Sequence, residues 1–121
     1  MKKILLIEDD AWLAELQMSL LKEAGYTVAL APHAPAGIVM IDEFAPDAIV
    51  LDVLLAGSTA FALLNELQSH GDTAKVPIVL CTNLAEQFDS SRLAAYGVVR
   101  VVDKTTMHPS DLVATLRLIL P

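Results

Sequence analysis

Asp52 closes the run Ala48-Ile49-Val50-Leu51, four apolar residues bounded on their other side by Pro46-Asp47. A short unbroken apolar run between turn signals reads as a strand buried on both faces. Ligands of open α/β sheets bind beyond the carboxyl ends of the strands, so an acid at that point is placed for chemistry rather than packing. Glu8-Asp9-Asp10 closes the run Ile4–Ile7 in the same way. Carboxylates gathered at one edge repel each other unless protons or a cation intervene. Mg²⁺ suits such a set, because it binds through one or two carboxylates and keeps waters for the remaining positions. The run Ile78–Cys81 ends in Thr82, and the run Val98–Val102 is followed by Asp103-Lys104. A hydroxyl and an ammonium facing a metal-bound carboxylate are donors for phosphoryl oxygens. Singly, each residue has an ordinary explanation: Asp9 and Asp10 begin a helix, where negative charge is favourable, Thr82 ends a strand, and Lys104 sits in a turn. Their recurrence at successive strand ends points instead to one site.

Elements that alternate position these residues. Five short apolar runs (Ile4–Ile7, Val28–Leu30, Ala48–Leu51, Ile78–Cys81, Val98–Val102) are separated by helix-periodic stretches. In the first helix Leu13, Leu16 and Leu20 recur at helical spacing with Ala24 behind them, and Gly25 stops it. Pro35 opens the second, which runs through Ile38 and Ile41 to about Phe44. Ser58 or Thr59 caps the third, which carries Phe61, Leu64 and Leu67 and ends near His70-Gly71. The fourth runs from about Ala85 to Tyr96 and stops at Gly97, and Pro109 opens the fifth, bearing Leu112, Leu116 and Ile119. Strands alternating with helices imply a parallel sheet covered on both faces by right-handed crossovers. In the doubly wound order 2-1-3-4-5 the first and third strands are neighbours, which sets Glu8-Asp9 beside Asp52.

The chain has 121 residues, which suits one domain spanning 1–121 with a sizeable core. Its hydrophobic fraction of 55% is high. Every apolar run is nevertheless interrupted by Asp, Glu, Lys or Pro well short of the roughly 18–20 residues a membrane span needs. Met1-Lys2-Lys3 followed by a short apolar run superficially resembles a signal peptide, but Glu8-Asp9-Asp10 follows at once and a strand is expected. The single cysteine, Cys81, fits a reducing cytoplasm and a small core side chain. A net charge of −7, with eight scattered Lys and Arg, argues against direct binding of nucleic acid.

Over essentially its whole length the sequence resembles the receiver domains of two-component response regulators, the CheY-like family with its flavodoxin-like (βα)5 fold. Glu8-Asp9 matches the family's acidic pair, Asp52 its phosphoacceptor, Thr82 its conformational Thr/Ser and Lys104 its lysine. Asp52-Val53-Leu54-Leu55-Ala56-Gly57 is similar to the D-x-x-L-P-G loop, with Ala56 in place of proline. The resemblance implies Mg²⁺ held by Asp9, Asp52 and the Leu54 carbonyl, with Glu8 assisting through a water. It implies a sensor histidine kinase or phosphotransfer protein as donor, and Thr82 drawn to the new phosphoryl group as the switch. It further implies a phosphoacceptor rather than an enzyme, a downstream protein partner, a cytoplasmic site of action, and a partner or homodimer surface formed by helix 4, strand 5 and helix 5.

Several positions depart from the family pattern. Val101 replaces the usual aromatic three residues before the lysine, so aromatic-to-threonine coupling is missing or replaced. Thr105 replaces the proline that follows the lysine in a cis peptide, and a non-proline cis bond costs about 2.5–4 kcal/mol. Asn83 stands where a small residue is usual. In this family the positions of Leu54 and Leu84 border the path of the hydrolytic water, which implies that neither apolar side chain here orients it. Trp12 is either a contact at the rim of the site or a partly buried anchor, and Arg100 faces outward on an edge strand. His33, His70 and His108 have no metal-site spacing. Three rival readings remain. An aspartyl phosphatase would carry a second acid where Leu54 stands, and a flavodoxin-like cofactor binder would carry a phosphate loop after the first strand. A degenerate receiver working by protein contact alone would fit Val101 and Thr105.

Overall fold

The computed structural model describes residues 1–52, 64–69, 76–82, 90–103 and 108–120. The strands are β1 (Lys3–Glu8), β2 (Thr27–Ala31), β3 (Ala48–Asp52), β4 (Ile78–Thr82) and β5 (Val98–Asp103). All pair in parallel, in the order β2-β1-β3-β4-β5. The helices are α1 (Ala11–Glu23), α2 (Ala34–Phe44), α3 (helical at 64–69), α4 (Ser90–Ala94) and α5 (Pro109–Ile119). The flavodoxin-like architecture and strand order expected from the sequence are therefore those observed.

Strand alternation divides the core into two layers. Leu5, Ile7, Leu51 and Leu80 pack with Ile41 of α2, Leu64 and Leu67 of α3 and Leu93 of α4. Ile4, Leu6, Val50 and Cys81 pack with Leu21 of α1 and Leu112 and Leu116 of α5. Because both sheet faces are covered, the strands read as unbroken apolar runs. Among the described residues no helix is long and apolar enough to cross a membrane.

The first helix turns a different face inward from the one its leucines suggest. Its buried residues are Ala14, Gln17 and Leu21, whereas Leu16 is 38% exposed and Leu13 and Leu20 are half-buried. Two stripes about one residue out of phase share the helical period, Leu13-Leu16-Leu20 and Ala14-Gln17-Leu21, and the buried one carries the polar Gln17, so the leucine spacing points to the wrong face. The Asp10 cap fixes where the helix starts, and small Ala14 allows close approach to the sheet. Gly25 (φ +100°) and Gly97 (φ +84°) supply the left-handed residues that end α1 and α4. Ser58, Thr59, Phe61, His70, Gly71 and the expected start of α4 near Ala85 lie outside the described residues.

The C-terminus of α2 is built without glycine. Ala45 takes the left-handed conformation (φ 50°, ψ 64°), and its N–H donates to the Ile41 carbonyl. The following Pro46 disfavours a further helical turn. Lys3 reinforces this end: its Nζ donates to the Phe44 carbonyl at 3.3 Å and lies 5.6 Å from the Phe44 ring centroid. A left-handed alanine costs roughly 1–2 kcal/mol, while glycine adds under about 1 kcal/mol of unfolded-state entropy. Ala45→Gly is therefore expected to stabilise the protein by about 0.5–1 kcal/mol in urea unfolding, and a loss of stability would show that the methyl group packs usefully.

Candidate functional site

The carboxyl ends of β1 and β3 lie side by side, in the register Ile4↔Ala48, Leu6↔Val50 and Glu8↔Asp52. The two strand-ending acids thus occupy directly paired positions. The acidic triplet at the end of β1 divides into three tasks. Glu8 continues the strand, lies only 2% exposed, and accepts the Asp10 N–H through Oε1 at 2.9 Å. Asp9 is exposed to solvent. Asp10 is the N-cap of α1, its Oδ1 accepting the Leu13 N–H at 3.1 Å. The helix-start explanation is correct for Asp10, which leaves Glu8 and Asp9 for the site.

On the other side of β3, Cys81 pairs with Asp52 and with Val102, and Thr82 pairs with Asp103. Thr82 is 5% exposed and Asp103 half-buried. Glu8, Asp52, Thr82 and Asp103 therefore end four adjacent strands on one edge of the sheet. Lys104, Leu54, Asn83, Leu84, Ala56 and Thr105 lie outside the described residues.

Among the described residues, no three His, Cys, Asp or Glu side chains form a metal cage. The donor chemistry still fits Mg²⁺, which needs only one or two carboxylates and retains several waters. Glu8 is a nearly wholly buried acid at the position paired with a second acid, an arrangement that a nearby cation stabilises.

Trp12 is 74% exposed, so it is not the partly buried anchor that was one of its two expected roles. His33 and His108 are exposed N-caps of α2 and α5: the His33 Nδ1 accepts the Ala36 N–H at 3.2 Å, and the His108 N–H donates to Asp111 at 2.8 Å. Arg100 faces outward on the edge strand, as expected. Sequence reasoning missed a register irregularity opposite Ile78-Val79, where Val98 and Arg100 take consecutive partners and Val99 is the extra residue. The bulge leaves Val99 43% exposed beside Arg100, a common device at sheet edges. A groove of about 500 Å³ between α4 and β5 is lined by Leu93, Ala94, Val98, Val99 and Val101 among others. The second omission was Asp103, whose only sequence signal was its place before Lys104.

Residues 4–117 match the family described as response regulator receiver domains. The phosphate regulon transcriptional regulatory protein PhoB of Escherichia coli is 26% identical over 119 residues, covering 98% of this chain and 52% of that protein. The transcriptional regulatory protein AfsQ1 of Streptomyces coelicolor is 37% identical over 90 residues, covering 74% of this chain and 38% of that protein. The chain spans about half the length, or less, of the curated relatives it matches. Among solved structures, the chemotaxis response regulator CheY4 of Vibrio cholerae superposes with a TM-score of 0.85 at 22% identity, over 99% of both chains. The receiver domain of a Pseudomonas aeruginosa sensor histidine kinase, which holds a magnesium ion in its active site cleft, superposes with a TM-score of 0.80 at 23% identity, over 97% of this chain and 95% of that one. At these identities the structural likeness speaks to the fold.

Proposed function

Because this chain belongs to the family of response regulator receiver domains, and so to two-component signalling, we propose that residues 1–121 act as one receiver unit whose phosphoacceptor is Asp52. The observation that carries this reading is the pairing of Glu8 with Asp52 at the edge where Thr82 also ends its strand.

In the proposed reaction an Asp52 carboxylate oxygen attacks the phosphorus of a phosphohistidine on a sensor kinase or phosphotransfer protein. A P–O bond forms, the P–N bond breaks, and the departing imidazole takes up a proton. The sheet edge holds the nucleophile in place, so that orientation supplies much of the rate. Glu8, Asp9, Asp52 and the Leu54 carbonyl would hold Mg²⁺, which supplies positive charge to the transferring phosphoryl oxygens. Lys104 adds a second cation, and Thr82 donates its hydroxyl to the acyl phosphate once it has formed. The domain is thereby a phosphoacceptor rather than an enzyme, acting in the cytoplasm and presenting a switched surface to a downstream protein. The face made by α4, β5 and α5, with the groove beside Val101, would contact that protein or a second copy.

The test is incubation with acetyl phosphate and Mg²⁺, followed by mass spectrometry of the intact protein. A gain of one phosphoryl group, abolished by chelating the metal, is expected. No adduct at all would favour the degenerate receiver, for which Val101 and Thr105 speak. Leu54 and Leu84 offer hydrolytic water no hydrogen-bonding group, so the phosphoryl group is expected to decay slowly. Leu54→Asn should shorten its lifetime several-fold, since orienting a water is worth about one hydrogen bond. An unchanged lifetime would remove water access as the cause.

A further inference from the structure

The family's relay from threonine to an aromatic side chain has no aromatic here, since Val101 carries no polar atom with which to bond Thr82. The sheet provides another neighbour. In β4, Leu80 packs in the α2–α4 layer and Cys81 in the α1–α5 layer, so alternation returns Thr82 to the side of Leu80. In β5, Val101 packs with the first layer and Val102 with the second, so Asp103 falls on the side of Val101. Thr82 and Asp103 are register partners, one buried and the other half-buried, and neither is free of interactions. Neighbouring strands lie about 4.8 Å apart, so register partners on one face of this parallel pair lie within reach of a side-chain hydrogen bond.

We propose that Asp103 is a positioning residue for Thr82, accepting its hydroxyl in the resting protein and giving it up to the phosphoryl group on Asp52. The carboxylate is a strong acceptor, and a hydroxyl has only one proton to donate, so the two partners exclude each other. Phosphorylation therefore breaks the side-chain link between the ends of β4 and β5, which stay paired through their backbones, and the change reaches the α4–β5 groove through Asp103 and Val101 rather than through an aromatic rotamer. This rests on the receiver reading above and adds the element through which the switch works.

The experiment is calorimetric titration of the whole chain with beryllofluoride, a phosphoryl mimic, in the presence of Mg²⁺. Asp103→Ala leaves Thr82 without its resting acceptor and is expected to bind the mimic about fivefold more tightly, an ordinary hydrogen bond's worth. Asp103→Asn keeps an acceptor oxygen and is expected to stay within about twofold of wild type. On a Thr82→Val background the alanine effect is expected to vanish. Asp103→Val, a better strand former that also lacks an acceptor, replaces the alanine variant if that fails to fold. Equal tightening by asparagine and alanine would reduce Asp103 to a simple charge effect and overturn the proposal. So would an alanine effect that survives Thr82→Val, or no tightening in any variant. A wild-type protein that binds no mimic and gains no phosphoryl group fails at the earlier step, and both readings then fall together.

Discussion

Asp52→Asn, incubated with acetyl phosphate and Mg²⁺, is expected to gain no phosphoryl group under conditions that modify the wild-type chain. The amide is nearly isosteric with the carboxylate but has no anionic oxygen with which to attack phosphorus, so the acyl phosphate cannot form. The expected effect is loss of the adduct rather than a slower approach to it. Loss through unfolding is separable: like charges on directly paired strand positions are destabilising, and Glu8 is the register partner of Asp52. Removing one of the two charges should leave the melting temperature at or above that of the wild-type chain. Retention of a stoichiometric adduct in the variant would reassign the acceptor to Glu8, Asp9 or another acid at this edge. Asp9→Asn gives the complementary result: Asp9 is exposed and is not the N-cap. It should therefore keep the fold and the adduct while requiring more Mg²⁺.

Gly37→Ala is expected to produce the largest stability loss of any conservative change in the second helix. A Cβ at residue 37 would lie 2.7 Å from Ile7 Cδ1, 3.0 Å from Ile7 Cγ1 and 3.6 Å from Ala31 Cβ. Alanine would otherwise strengthen α2 by about 0.5–1 kcal/mol. Ile7, however, is wholly buried, so its side chain must leave its rotamer or push α2 away from the sheet. Overpacking a filled core costs about 1–3 kcal/mol, and the net expectation is a loss of about 1–2 kcal/mol. Thermal or urea unfolding measures it, and a gain in stability would show that α2 shifts freely on β1. Ile7 is also the residue before Glu8, so the same clash should weaken Mg²⁺ binding slightly. A purely remote helix substitution would leave that affinity unchanged.

Most of the architecture was legible in the sequence, and the reasons are specific. The apolar runs mark strands because both faces of the sheet are covered; each observed strand extends the expected run by one or two residues, as with Lys3 and Glu8 around Ile4–Ile7. Gly25 and Gly97 announced their helix stops because left-handed backbone is strained in other residues, and Pro35 announced a helix start. The end of α2 at Ala45 was not announced by its residue type, since alanine there is a compromise that Pro46 and the Lys3 contacts sustain. The face that α1 buries was misread for a different reason: the stripes through Leu13, Leu16 and Leu20 and through Ala14, Gln17 and Leu21 satisfy the helical period equally.

The sequence by itself determined which residue types stand at the described strand ends, and hence that carboxylates and a threonine share one edge of a parallel sheet. This follows because strand ends are marked locally, by the passage from apolar to polar residues. Only the tertiary structure decided how the acids divide their work, burying Glu8, exposing Asp9 and spending Asp10 on the helix cap. Only register could pair Glu8 with Asp52 and Thr82 with Asp103, or place a bulge at Val99. Register is a relation between segments far apart in the chain, fixed by how side chains on both sheet faces pack at once. No local pattern in either segment carries it.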